Sequence, residues 1–396
     1  MSESSTASSF SYRLQTARKW RGLTQKELAD RAGISVSLVG ALEQDRVQNT
    51  RVQTVHQLAV ALRASTTYLL GQDREMPEEP FPVHDPALWE PVRRALAGQL
   101  SHPDEAPTVA GVQAAAERLR SLVATNQYGG LAAVLPGLLR DADALNGTGR
   151  TIRSRLLNAT GWVLVQTRQF DLAELALQEA VDAAEDRLDA ATAIDILAWL
   201  HLRQGQLDQA RVLATRWADD IEPRFSRATT GELTQWGRLL LRVGAAAVRD
   251  NRPGEAEDAL RLARAAAVRI GREVLSDSMT ARMFGPVTVT MLTAEHAAIV
   301  GKPDRVLAIA ERVPAEATPY ERRAGRNRHR LDVADALVAM GRSAEAVTVL
   351  EELGQASPEW LVAQRYARDV VGRVVERMRT LTPEVRALAT SVGLAY

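Results

Sequence analysis

The chain has 396 residues, of which 46% are hydrophobic, 25% charged and 5% aromatic, and it contains no cysteine. The length suits two or three domains, and the composition is typical of a globular protein with a sizeable core. The lack of cysteine excludes disulfides, thiolate catalysis and cysteine-ligated metal sites. The formal net charge is zero, but residues 1–72 carry +4 and the remainder carries −4. A basic N-terminal region on an acidic body is typical of a protein whose one end binds nucleic acid.

The sequence divides into four consecutive segments. Residues 1–9 are rich in Ser, Thr and Ala, which predicts a disordered tail. Residues 10–72 have apolar periodicity in short helical pieces. Residues 73–86 contain four prolines and several acidic residues, which predicts a stiff linker. Residues 87–396 alternate helices of roughly 12–20 residues with short breaks, so we expect an all-α protein with a large second domain.

A tight turn joins two predicted helices in the N-terminal region. Thr24 and Glu27 have the spacing of a capping box at a helix start. Gly33 ends this helix because glycine tolerates the left-handed conformation, and Ser35 caps the second helix. A helix, a glycine-containing turn and a second helix form the helix-turn-helix arrangement, whose second helix enters the major groove of DNA.

The segment LTQKELADRAGIS, residues 23–35, resembles the Cro/CI-type (XRE) repressor family, and the resemblance covers residues 10–71. It implies a five-helix, lambda-repressor-like domain that binds double-stranded DNA. The family's phosphate-contacting positions correspond to Gln25, Gln44, Arg46 and Arg51. Its base-facing positions correspond to Ser35, Val36, Ser37, Gly40 and Ala41. Because the base-facing set lacks long Gln and Arg side chains, we expect modest specificity or a reliance on DNA shape.

The same resemblance assigns a scaffold role to two further residues. Arg18 and Glu43 occupy positions that form a structural ion pair in the family. We therefore expect them to hold the domain together and not to contact DNA. The alternative for such a small helical domain is a protein–protein adaptor.

Five segments of the second region repeat a common pattern of small residues. They align on Ala173, Ala210, Ala256, Val306 and Ala346. Twelve residues before each stands another small residue: Gly161, Ala198, Gly244, Ala294 and Ala334. Small residues at both positions allow two antiparallel helices to approach closely. The pattern resembles a degenerate tetratricopeptide repeat, so we expect an α-solenoid of helical hairpins.

A tetratricopeptide array implies a concave surface lined by the first helix of each hairpin. The candidate ligand-binding residues are those at the lining positions and two arginines of the basic segment 321–330. They are Arg155, Asn158, Trp162, Asp195, Trp199, Arg238, Thr288, Glu295, Arg326 and Arg328. Arg155 and Asn158 suit a peptide backbone or a carboxylate. The alternatives are that the two tryptophans pack between hairpins and that the basic segment is a solvated helix face.

The sequence lacks the motifs of the common enzyme classes. It has no P-loop, no zinc-protease, esterase or dinucleotide-binding signature, and its six histidines do not pair at helical spacing. We therefore expect no enzyme activity, cofactor or metal. It also has neither a signal peptide nor an apolar run of about 18 residues that would span a membrane. We expect a cytoplasmic, nucleoid-associated protein.

The order of the segments resembles that of actinobacterial regulators that join an XRE head to a degenerate tetratricopeptide body. More distantly, it resembles the Rgg and PlcR peptide-sensing regulators of Gram-positive bacteria, which implies a homodimer whose repeat domain binds a short peptide. The sequence thus predicts a DNA-binding transcriptional regulator whose body dimerises and binds a regulatory peptide or small molecule. The alternatives are a repeat scaffold that binds a partner protein with little switching, and a repressor whose body serves only dimerisation.

Overall fold

The structure is a computed structural model that describes residues 9–20, 23–47, 50, 52–62, 69, 82–103, 105–145, 149–277, 279–280, 282–314, 324–378 and 380–394. Within these ranges it contains twenty α-helices, one short 3-10 helix and one two-stranded sheet. The predicted all-α fold class is confirmed. Nearly all of the predicted disordered tail and most of the predicted linker lie outside the described residues.

The N-terminal region, called the head below, has four described helices around a small core. They are α1 (Phe10–Trp20), α2 (Gln25–Ala32), α3 (Val36–Glu43) and α4 (Val52–Leu62). Leu69, the one described residue of the predicted fifth helix, is buried in the same core. The Thr24 hydroxyl accepts from the Glu27 amide at 3.1 Å, and the Glu27 carboxylate accepts from the Thr24 amide at 2.7 Å. Gly33 follows α2 at φ 65°, so the predicted capping box and turn are confirmed.

The body begins inside the segment that the sequence assigned to the linker. Pro82–His84 form a 3-10 helix, and the carbonyl of the buried Val83 accepts from Trp89 Nε1 at 2.9 Å. The helices that follow are α5 (Pro86–Leu96), α6 (Val109–Ala124), α7 (Tyr128–Ala144), α8 (Arg150–Gln166), α9 (Phe170–Ala183), α10 (Arg187–Gln204), α11 (Leu207–Asp220), α12 (Thr230–Arg249), α13 (Pro253–Ile270), α14 (Pro286–Ile299), α15 (Pro303–Ala310), α16 (Ala324–Ala339), α17 (Ser343–Ala356), α18 (Pro358–Val362), α19 (Arg365–Arg377) and α20 (Pro383–Ser391).

The five predicted repeats are the helix pairs α8–α9, α10–α11, α12–α13, α14–α15 and α16–α17. All ten aligned small positions are buried, five on the first helices and five on the second. A Cβ added to Gly161 would lie 2.4 Å from Leu177 Cγ, and one added to Gly244 would lie 3.0 Å from His296 Cε1. At Gly161 a small residue is therefore required by the close approach of the paired helix α9, as the repeat pattern predicted, and at Gly244 it is required by α14 of the next repeat.

The last helices of the body pack against its first helices. One buried apolar cluster runs through α5–α10 and continues in α16–α20. The Glu359 carboxylate accepts from the Gly129 amide at 2.9 Å, and Arg203 Nη1 donates to Gln364 Oε1 at 3.1 Å. The succession of hairpins thus returns to its own start.

A short β-hairpin interrupts the helices, and the sequence analysis did not predict it. Strands β1 (Val274–Asp277) and β2 (Arg282–Phe284) pair antiparallel between α13 and α14. The Phe284 ring is fully buried over Gly237 of α12, where an added Cβ would lie 2.0 Å from Phe284 Cζ. Because only glycine leaves room for this ring, Gly237 and Phe284 anchor the hairpin to the first helix of the third repeat.

Candidate functional site

The surface of α3 that the sequence assigned to base contacts consists of small side chains. Ser35 caps the helix, since its hydroxyl accepts from the Leu38 amide at 3.2 Å. Val36 is 43% exposed and Ser37 is also exposed. Gly40 and Ala41 are half-buried on the same helix. Small side chains of this kind leave room for a close approach to base edges and suit contacts with thymine methyl groups, but none of them offers a bidentate hydrogen bond.

A buried ion pair holds α3 against α1. Arg18 Nε lies 2.5 Å from Glu43 Oε1 and Arg18 Nη2 lies 2.9 Å from Glu43 Oε2, while Nη1 donates to the Leu23 carbonyl at 2.8 Å. The predicted structural ion pair is confirmed. Gln25 Nε2 also donates to Glu43 Oε2 at 2.8 Å. Its amide nitrogen is therefore engaged inside the domain, which sets Gln25 apart from the other predicted phosphate contacts.

The predicted phosphate contacts beyond α3 lie at the solvent-exposed end of the helix. Gln44 and Arg46 are exposed, and the Arg46 amide donates to the Ala41 carbonyl at 2.9 Å. Arg51 lies outside the described residues. An exposed guanidinium next to α3 is suited to a phosphate contact that positions the domain without reading sequence.

In the body, the first cluster of charges surrounds Asp195, which has no exposed surface. Its carboxylate accepts from Arg238 Nε at 2.7 Å, from Arg242 Nε at 2.6 Å and from Arg282 Nη1 at 2.5 Å. Burial alone would raise the pKa of Asp195, but the three guanidinium groups outweigh it and hold the pKa well below its usual range. Because Arg282 belongs to β2, this cluster joins α10, α12 and the β-hairpin.

A second cluster of charges joins α12, α14 and α16. Glu295 accepts from Arg249 Nη2 at 2.5 Å and lies 3.7 Å from Arg328 Nη2. Burial opposes ionisation of Glu295, yet the two arginines lower its pKa to about 2. Arg328 lies 3.2 Å from Asp332, whose pKa burial raises to about 7. The Arg328 guanidinium carbon also stands 4.3 Å from the centre of the Tyr366 ring.

Besides Asp195, four predicted ligand residues lie on α8 and α10. Arg155 is exposed, whereas Trp162 is buried. Asn158 is 1% exposed, and its Oδ1 has no hydrogen-bond partner. Two guanidinium groups stand over the ring of the half-buried Trp199, that of Arg203 at 5.8 Å and that of Arg242 at 5.7 Å from the ring centre. The unpartnered oxygen of Asn158 and the partly accessible Trp199 are the features here that suit a ligand.

The other predicted ligand residues make contacts within the protein. Asp195 and Arg238 belong to the first cluster, and Glu295 and Arg328 to the second. The Thr288 hydroxyl donates to the Glu273 carboxylate at 2.7 Å, and Arg326 donates to the Pro314 carbonyl. The structure thus brings the predicted residues onto neighbouring helices but couples most of them to charged partners.

Sequence reasoning missed the arginines that complete these clusters. Arg242 follows Arg238 by one helical turn, so helical spacing alone places both on one face. Arg249 stands at the end of α12 and carried no comparable signal. Arg282 lies 87 residues from Asp195 along the chain, and no local pattern connects them.

Residues 14–69 match the helix-turn-helix family. The head is therefore a helix-turn-helix domain, the type that DNA-binding transcriptional regulators carry. No curated protein matches the sequence. Two solved structures resemble the chain at 12% identity each.

One of these structures is Bacillus thuringiensis PlcR in complex with a peptide and DNA, with a TM-score of 0.37 over 87% of this chain and 99% of that chain. The other is the apo form of ComR from S. thermophilus, with a TM-score of 0.24 over 92% of this chain and 97% of that chain. Across the described residues, no helix combines the length and apolar character needed to cross a membrane. Nor do three or more potential metal ligands gather anywhere in those ranges.

Proposed function

We propose that this protein regulates transcription by binding a specific DNA sequence through α3, in the cytoplasm and on the nucleoid. The observation that carries the proposal is the accessible surface of α3 inside the helix-turn-helix match, fixed from behind by the buried pair of Arg18 and Glu43. A recognition helix must be held in one orientation to read bases. In this mechanism Ser35, Val36 and Ser37 approach the bases, and Arg46 contacts a phosphate.

The proposal extends to a homodimer whose body binds a peptide or small-molecule effector. Two copies of the head would then occupy two half-sites, and the body would set their spacing. One contact supports communication between the parts: Lys19 Nζ on α1 donates to the Glu376 carbonyl on α19 at 3.0 Å. The unpartnered Asn158 Oδ1 and the Trp199 ring with its two nearby arginines support effector binding on α8 and α10.

The decisive experiment measures binding of the purified protein to DNA from upstream of its own coding region across a salt series. The wild type should bind specifically and lose affinity as salt rises. Arg46→Ala should weaken binding uniformly across sequences and reduce the salt slope by about one. Arg261→Ala removes an exposed arginine of α13 that pairs with Asp258 and should leave the salt slope unchanged.

Footprinting in the same experiment tests the dimer. Two protected half-sites separated by about one helical turn of DNA, or a multiple of it, are the expected pattern. A single half-site would contradict the dimer while leaving DNA binding intact. If the wild type and Arg46→Ala bound with the same affinity and the same salt slope, the DNA-contact assignment would be wrong. The protein would then be better explained as a scaffold that binds a partner protein.

A further inference from the structure

Several arginines meet where the last helices of the body contact its first helices. We call this place the closure seam and define it by His84, Arg168, Arg203, Gln364 and Arg365. Arg203 Nη1 donates to Gln364 Oε1 at 3.1 Å, and burial together with the charges of Arg168 and Arg203 lowers the pKa of His84. Gln169 Nε2, next to Arg168 in the chain, donates to the His84 carbonyl at 2.9 Å, and the charge of Arg365 acts on Arg168. The seam therefore joins the start of the body, the first two repeats and the segment before α19.

The arginines of the seam differ from those of the two charge clusters. In the clusters each guanidinium has a carboxylate within ion-pair distance. Among the described residues, neither Arg168 nor Arg203 has one. Burial and the cationic groups of Arg168 and Arg328 lower the pKa of Arg203 to about 10. A partly buried guanidinium without a counter-ion is unfavourable in the folded protein, and an anion would relieve that cost.

The backbone of Arg168 is also unusual. Six turns in the body precede the second helix of a pair by two residues and have positive φ. They are at Asn126 (55°), Arg168 (64°), Gly205 (79°), Asn251 (53°), Gly301 (69°) and Gly341 (78°). Glycine and asparagine adopt this conformation most readily, and Arg168 is the exception. Glycine or asparagine would adopt this conformation at a lower cost in free energy. The presence of arginine therefore points to a role for its side chain that neither of those residues could fill.

We propose that the closure seam binds an anionic group of the effector, a carboxylate or a phosphate, through the guanidinium groups of Arg168 and Arg203. Guanidinium groups form paired hydrogen bonds with the two oxygens of such a group. Both side chains are partly accessible to solvent, so a ligand reaches them without opening the core. This inference rests on the proposed effector binding by the body and does not depend on DNA binding by the head.

The position of the seam explains how such an anion would act on the rest of the protein. Arg168 follows α8, Arg203 lies near the end of α10, and its partner Gln364 precedes α19. An anion shared by the two arginines would neutralise their mutual repulsion and stabilise the contact between the first repeats and the last helices. His84 lies two residues before α5. It is the residue of the seam that stands nearest to the head along the chain.

The test is the melting temperature of the full-length protein, followed by tryptophan fluorescence in the absence of DNA. Inorganic phosphate and acetate are titrated separately against chloride at constant ionic strength. We expect one of the two anions to raise the melting temperature, and the one that does identifies the ligand chemistry. In Arg203→Gln the dissociation constant for that anion should rise about tenfold or more, because a charged hydrogen-bond donor is lost. Arg261→Gln removes the same charge from an exposed ion pair and should keep the full response.

A second variant separates ligand binding from a structural role. Arg168→Asn keeps a residue that tolerates positive φ, as at two equivalent turns. It should melt at the wild-type temperature or higher without anion, and it should lose the anion response. A melting temperature well below wild type without anion would instead make Arg168 structural and overturn the proposal. So would equal responses of the wild type and Arg203→Gln, or no effect of either anion beyond chloride. Because DNA is absent, these results are independent of the salt series with Arg46→Ala.

Discussion

The head and the body place their charged side chains in opposite ways. In the head, the buried ion pair of Arg18 with Glu43 holds α3 against α1, and Arg46 is exposed just beyond α3. In the body, charges of both signs are buried between the first helices of the repeats, and Asp195 alone binds three arginines. An exposed cation is available to a polyanion such as DNA, whereas buried charge clusters hold helices in register.

The comparison implies that removing one charge has different consequences in the two regions. Loss of an exposed arginine in the head changes binding and leaves stability nearly untouched, because surface charges contribute little to folding. Loss of a buried carboxylate in the body leaves cations without a partner in a region from which water is excluded.

The largest effect is expected for Asp195→Asn. The substitution keeps the shape of the side chain but removes the charge that faces Arg238, Arg242 and Arg282. Breaking a buried ion cluster from one side costs about 3–5 kcal/mol. We therefore expect the free energy of unfolding of the body, measured by urea denaturation, to fall by roughly this amount.

The matched control for Asp195→Asn is Asp258→Asn. Asp258 pairs with Arg261 on the exposed face of α13, and an exposed pair contributes about 0–1 kcal/mol. If the two variants lost the same stability, the buried cluster would not be the structural centre of the repeats. The contrast between exposed and buried charges would then fail within the body itself.

The second prediction concerns the pH dependence of the body's stability. Burial lowers the pKa values of His296 and His329 to about 4, below the ordinary value of 6.5. Between pH 4 and 6.5 the unfolded chain therefore binds protons that the folded body does not, so these histidines make stability rise with pH. Asp332 acts in the opposite direction, because its pKa is raised to about 7. Its contribution is present at low pH and is lost as the pH rises towards 7.

Asp332→Asn removes the stability contribution of Asp332, which falls as the pH rises. It leaves the contribution of the two histidines, which rises with pH. The stability of the variant relative to the wild type should therefore increase between pH 4.5 and 7.5, by on the order of 2 kcal/mol. Urea denaturation followed by tryptophan fluorescence at several pH values measures this difference directly, and groups common to both proteins cancel. A difference that stays constant with pH would show that Asp332 is ionised throughout the range.

The sequence predicts the head almost completely because its determinants are local. Thr24, Glu27, Gly33 and Ser35 lie within twelve residues of one another and specify two helix starts and a turn. The repeats are also predictable, since two small residues at fixed spacing record the close approach of α8 with α9 and of the four following pairs. Local sequence is sufficient wherever the partners of a residue lie one helix away.

Local sequence does not predict the charge clusters or the closure seam, because the residues that form each of them are distant from one another in the chain. Asp195 needs Arg282 of an unpredicted β-hairpin, and Arg203 needs Gln364, 161 residues further on. The unusual turn at Arg168 had a local signal: it aligns with glycine or asparagine in the other pairs. That signal becomes readable only once the six turns are known to share one backbone conformation.

The smallest predicted effect compares two capping boxes of the same sequence type, Thr24 with Glu27 in the head and Thr229 with Glu232 in the body. Each threonine hydroxyl accepts from the amide three residues later, at 3.1 Å and 3.2 Å, and each glutamate accepts from the threonine amide at 2.7 Å. Replacing either threonine by alanine should cost about 1 kcal/mol locally. Hydrogen exchange should show faster exchange of the glutamate amide in both variants. In Thr24→Ala the faster exchange should extend to more amides beyond the helix start. The reason is that α2 has eight residues and orients α3, whereas α12 has twenty and is buried along most of its length. If faster exchange extended over equally many amides in the two variants, the length and burial of a helix would not limit the effect of losing its N-terminal cap.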